Sequence, residues 1–132
     1  MHQVRRTGDG VRVVRKILLG RIEITADVAD TDDTRRRGLM DRESLGPRAG
    51  MLFVFDEPAR YPFWMRHVKM PLDIPWIDAA GRIVWMVESA PPCAAEPCLT
   101  YVPGAEASYV LEVEGGFARR HAVRAGDVVI IS

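Results

Sequence analysis

Long apolar runs are missing from this 132-residue chain. The longest uncharged stretch in its early part, Ile17 to Gly20, is far too short for a leader's apolar segment or for a membrane span of about 20 residues. Net charge is missing too: 18 Lys and Arg balance 18 Asp and Glu, so no global field draws the chain to nucleic acid or to an anionic membrane. Lysine is scarce, with Arg supplying 16 of the basic residues. These arginines are scattered, and the early excess from Arg5 to Arg21 reads as a solvated face or tail. No serine sits in a GxSxG elbow, no HExxH occurs, and there is no Walker or dinucleotide glycine loop. These absences count against the common hydrolase, zincin and nucleotide-binding classes. Without an export signal, a cytoplasmic location is favoured over an exported one.

What is present is β-forming sequence broken at short intervals. Gly8 to Gly10 interrupts an N-terminal arm, residues 1–10, that has scope to flex. Val11 to Leu19 and the alternating Ile22, Ile24, Ala26 and Val28 read as a hairpin turning near Gly20. Thr31 is placed to cap a helix of one to two turns, with Asp32 and Asp33 at its positive end, Arg35 to Arg37 at its negative end and Gly38 at the stop. Met51 to Phe55 is a continuous apolar run, the mark of a buried strand, and Tyr61 to Met65 begins another. Leu72 to Ile77 and Arg82 to Glu88 flank the turn Asp78-Ala79-Ala80-Gly81; Pro75 requires an edge position or a bulge. The four prolines between Ala90 and Gly104 predict an ordered loop without regular pairing. Tyr109, Leu111 and Val113 alternate with Val110 and Glu112 as another strand. A short helix from Phe117 to His121 and a strand from Val128 to Ile131 follow. The expected architecture is mainly β, a β-sandwich or partly closed barrel with two short helices, in a single domain over residues 11–132.

Three groups of residues carry chemical potential. Cys93 and Cys98, with four residues between them, form a disulfide in an oxidising compartment and remain a thiol pair in a reducing one. Two cysteines cannot complete a tetrahedral metal site, and recruiting His67 or His121 is the less economical reading. The aromatic set Tyr61, Phe63, Trp64, Trp76 and Trp85 lies near Asp73, Asp78 and Glu88. Rings beside paired acids suit a sugar groove or a glycosidase, although core packing and turn chemistry explain most of them. Asp73 stands apart, because it sits between Leu72 and Ile74 in an apolar strand and needs water or a dedicated partner there. Arg66 and His67 precede it by seven and six residues, so a fold-back would pair Arg66 with Asp73 and frame a small pocket.

The runs Arg37-Gly38-Leu39-Met40, Arg42-Glu43-Ser44-Leu45, Gly50-Met51-Leu52-Phe53-Val54-Phe55, Phe63-Trp64-Met65-Arg66 and Pro71-Leu72-Asp73-Ile74 closely resemble the family called domain of unknown function 192. So do Ile77-Asp78, Gly81-Arg82-Ile83, the Pro91-Pro92-Cys93 and Pro97-Cys98 loop, and Tyr109-Val110-Leu111-Glu112-Val113. The resemblance extends from about Ile22 to the end and implies one β-rich domain with short helices. It brings no catalytic residue with it. His67 stands where similar sequences usually have Asn, and many relatives carry an export leader or membrane anchor, whereas this chain begins at its first hairpin. The leading expectation is a non-catalytic binding or accessory module whose pocket, framed by Trp64, Arg66, His67 and Asp73, accepts a small polar or carbohydrate-like ligand. The rivals are a hydrolase using two of Asp73, Asp78 and Glu88, and a thiol or metal site at Cys93 and Cys98. Neither cofactor, nucleic acid nor membrane span is expected, and oligomeric state stays open.

Overall fold

The computed structural model describes residues 3–7 and 10–132, with side chains from Val13 onward. The expected break at Gly8 and Asp9 therefore lies outside the described residues. The chain runs through β1 (Gln3–Thr7), β2 (Gly10–Leu19), β3 (Ile22–Ala29), α1 (Asp32–Arg37), β4 (Ala49–Ala59), β5 (Phe63–Trp64) and β6 (Leu72–Ile77). It continues through β7 (Ile83–Ala90), β8 (Thr100–Tyr101), β9 (Ala107–Glu114), α2 (Phe117–Arg120) and β10 (Ile130–Ile131). One sheet runs in the order β1-β2-β3-β4-β9-β6-β7, with β10 added to β2, and β5 and β8 form a separate small ribbon. The fold is mainly β, a sheet curled into a half-barrel with two short helices.

The curl has a visible cause at the chain's end. Ile83 N–H donates to Asp127 O and Val129 N–H to Gly81 O, while Ile130 and Ile131 pair with Leu18 and Ile17. The last residues thus bridge the start of β7, at one edge of the sheet, to β2 near the other. Gly81, at a φ of 91°, makes this possible: a Cβ there would lie 2.7 Å from Val129 O.

Alternation along the strands sorts side chains to two faces. Leu52, Leu111 and Val113 join Ile17, Ile24 and Ile77 in a core covered by Phe117, Ala118, Val123 and Val129. Met51, Phe53, Val110, Ile74 and Trp76 join a second core, covered by Leu39, Met65 and Val68. The parallel pairing of β3 with β4 requires a crossover, and α1 lies in it. This helix is capped as expected: the Thr31 hydroxyl accepts from Thr34 N–H, and Thr31 N–H donates back to the Thr34 hydroxyl. Gly38 ends it at φ 49°, ψ −131°.

Pro75 lies in an interior strand between β9 and β7, and of the two placements expected for it the bulge is the one found: the β6–β7 pairing shifts register between Leu72 and Ile74 and again between Trp76 and Ile77. The proline-rich loop is not wholly unpaired, since Thr100 and Tyr101 pair with Trp64 and Phe63.

Asp73, 1% exposed, faces the first core and accepts from three backbone amides: Ser89 N–H at 2.7 Å, Gly116 N–H at 3.2 Å and Ala118 N–H at 2.8 Å. It thereby ties β6 to the end of β7 and caps α2, whose own N-cap, Gly116, has no side chain to do so. Replacing Asp73 with Ala strands these donors. The expected cost is about 3–5 kcal/mol of stability, read as a fall in the urea midpoint.

Candidate functional site

A pocket opens on the second face of the sheet, where α1 ends. Arg35, Arg36, Arg37, Gly38, Leu39 and Met40 form one wall; Phe53 of β4, Phe63 and Trp64 of β5, and then Arg66 and Val68 form the others. Glu112 of β9 completes the lining. The cavity measures about 40 Å³, room for roughly three waters.

Each wall has a local cause. The cap and charge pattern of α1 bring its arginines to the helix end, where the dipole favours them. Arg35 Nη1 then donates to Val54 O at 2.7 Å and Nη2 to Asp32 at 3.0 Å, which fastens the helix to β4. Gly38 permits the sharp exit: any side chain there would meet its positive φ, and a Cβ would lie 3.3 Å from Phe53 Cζ. Phe63 packs edge-on against Phe53 and Trp76, at centroid separations of 4.8 and 5.8 Å. Trp64, its neighbour, faces the other way, stays 40% exposed and lies 5.4 Å from the Arg66 guanidinium. Arg66 forms an ion pair with Glu96 at 2.8 Å, off the line of its Nε–H. Glu96 stands in the loop closed by the Cys93–Cys98 disulfide, and Cys93 bridges to Arg66 in the backbone.

Glu112 is the anomaly. Only 3% exposed, it has a carboxyl with no hydrogen bond or ion pair from any other described residue, and burial alone pushes that carboxyl up from 4.5 to about 8. A neutral carboxyl left without a partner in a core costs about 1–3 kcal/mol relative to a satisfied one. An apolar residue of similar volume would pack there without that cost. Alternation with Leu111 and Val113 places Glu112 on the opposite face, but that face is covered as well.

The residues singled out in the sequence fare differently. Trp64 and Arg66 line the pocket. His67 is exposed, at φ 59°, does not line it, and offers its carbonyl to Asp41 N–H at 2.9 Å. The expected Arg66–Asp73 pair does not form: Arg66 turns to Glu96, and Asp73 is occupied by backbone amides on the other face. The carboxylates weighed for hydrolysis have separate surroundings, with Asp73 held by backbone amides. Asp78 Oδ1 holds its own turn through Ala80 and Arg82 N–H, and Glu88 lies exposed on β7. Of the rings, Trp76 is fully buried with its indole N–H bonded to Tyr61 O at 2.9 Å, and Trp85 lies over Gly104. Among the described residues no group of three or more His, Cys, Asp or Glu is placed to hold a metal, and no helix is long and apolar enough to cross a membrane.

Glu112 is not among the residues singled out from sequence. The signal is there, because it interrupts the run from Val110 to Val113 as Asp73 interrupts its own strand.

A family model described as "Uncharacterized ACR, COG1430", DUF192, matches residues 16–131. A solved protein from Sinorhizobium meliloti 1021, provisionally described as a transcription regulator, is 29% identical over 91% of this chain and 95% of its own, with a TM-score of 0.81. A protein of unknown function from Novosphingobium aromaticivorans DSM 12444 is 28% identical over 98% and 92%, with a TM-score of 0.79. No curated protein matches.

Burial of Glu112 has a consequence for stability. Between pH 4.5 and about 8 the folded chain holds a proton that the unfolded chain has released. Stability therefore falls as pH rises through that window, by at most about 1.4 kcal/mol per pH unit. Glu112→Gln removes this slope. In urea titrations the variant should gain on the natural protein progressively from about pH 5 to about pH 8, and parallel curves would show that Glu112 ionises normally.

Proposed function

The chain belongs to the DUF192 family, which carries no assigned activity, and we propose that it serves there as a small-ligand-binding module, with the Glu112 pocket as its site. One observation carries this reading: a buried, unpartnered carboxyl opens into a cavity of water-accessible size. Natural cores satisfy their polar groups, and exceptions concentrate at sites of function. Trp64 and Arg66, singled out from sequence, remain ligand candidates; His67 stands beside the site, and Asp73 serves the fold that carries it.

Binding is favoured over catalysis by the composition of the lining. It holds one carboxyl, four arginines and apolar side chains, with no Ser, Thr, Cys, His or Lys. A nucleophile with its base, or an acid with a separate base, is not assembled. The description of the Sinorhizobium neighbour as a regulator fits a ligand sensor better than a reader of DNA. The two helices here span six and four residues, and the charges balance, whereas groove readers present a helix on a basic surface. The disulfide suits an oxidising compartment, so export becomes the preferred location.

The test is an NMR screen of the whole chain with acetate, glucose and methylammonium as probes. At least one should shift the Trp64 indole N–H and the Glu112 amide together, and Trp64→Ala, at a half-exposed position, should weaken that probe by about tenfold. Silence at both signals with all three probes would end the reading.

A further inference from the structure

The chemistry of the pocket goes further than its existence. Resting on the binding role just proposed, we infer that the pocket takes the carboxylate end of a small organic acid, its oxygens held by arginine side chains of the lining and by a hydrogen bond from the Glu112 carboxyl. Three observations converge on this.

The first is size. About 40 Å³ admits a group of three or four heavy atoms, a carboxylate and its first carbon. A sugar ring is too large to reach Glu112, so the carbohydrate-like option gives way to a ligand that inserts only its head.

The second is the charge of the walls. Arg35, Arg36 and Arg66 are paired with Asp32, Asp33 and Glu96, and none of those acids lines the pocket. Arg37 lines it and is exposed, and its guanidinium has no ion-pair or hydrogen-bond partner among the described residues. Apart from Glu112, every charged residue of the lining is thus an arginine, and guanidiniums suit planar oxyanions and repel amines.

The third is the state of Glu112. Burial keeps it neutral near pH 7, so it offers an O–H donor. A ligand carboxylate supplies the acceptor that this donor lacks, in a charge-assisted hydrogen bond. An ionised Glu112 would instead face a like charge. Ligand and proton are therefore held together. The other charged residues lining the cavity are Arg35, Arg36 and Arg37 from α1 and Arg66 from the segment after β5, and the core on that face of the sheet takes the apolar Met51, Phe53, Ile74 and Trp76 from β4 and β6.

The experiment follows acetate binding through the Trp64 indole signal at about pH 7 and about pH 9, in the natural protein, in Glu112→Gln and in Arg37→Ala. Acetate should bind the natural protein about tenfold more weakly at the higher pH, because the protonated fraction of Glu112 falls by that factor. Glu112→Gln, whose amide still donates, should bind with no pH dependence. Arg37→Ala, at an exposed position, should weaken binding at both pH values and leave the tenfold ratio intact. The inference is overturned if Glu112→Gln shows the same pH dependence as the natural protein, or if inorganic phosphate or methylammonium binds more tightly than acetate. Glucose or methylammonium moving Trp64 while acetate does not would sink this inference and leave the binding role standing; silence from every probe would remove both.

Discussion

Strand β9 is covered on both faces, and the rest of the molecule is arranged around that constraint. With β4 and β6 on either side, it leaves no solvated side in the middle of the sheet. Any acid placed there must be saturated with donors or give up its charge. The protein uses both solutions. Asp73 takes the first, with three backbone amides aimed at it; Glu112 takes the second.

The two acids divide structure from function. Asp73 joins β6, β7 and α2 on one face, and in doing so steadies the strand against which Glu112's face packs. Saturated in this way, it has little capacity left for a ligand. Glu112 has no such partners and stands at the base of a cavity walled by the end of α1, by Trp64 and by Arg66. The disulfide loop contributes at a distance: it carries Glu96, which restrains Arg66 at the pocket wall.

Much of this was legible in local sequence. Thr31, Asp32, Asp33 and Gly38 marked a short capped helix, and Asp78 with Gly81 marked the turn between β6 and β7, because capping and turn chemistry act within a few residues. The run from Met51 to Phe55 announced a buried strand, and Asp73 announced that it needed partners. What those partners were was not legible, since Ser89, Gly116 and Ala118 lie 16, 43 and 45 residues away. Adjacency in sequence suggested Arg66, and the fold placed it on the other face.

By itself, then, the sequence determined the β-rich class, the short helices, the turns and one acid, Asp73, that had to be accounted for, all through periodicity and nearest-neighbour chemistry. Only the tertiary structure decided which acid was satisfied and which was left over. That decision depends on which faces of the sheet α1, the β5–β8 ribbon and the C-terminal segment come to cover. Burial of a side chain is a property of its distant neighbours, and a period-two pattern gives the face a residue occupies without saying whether that face is wet.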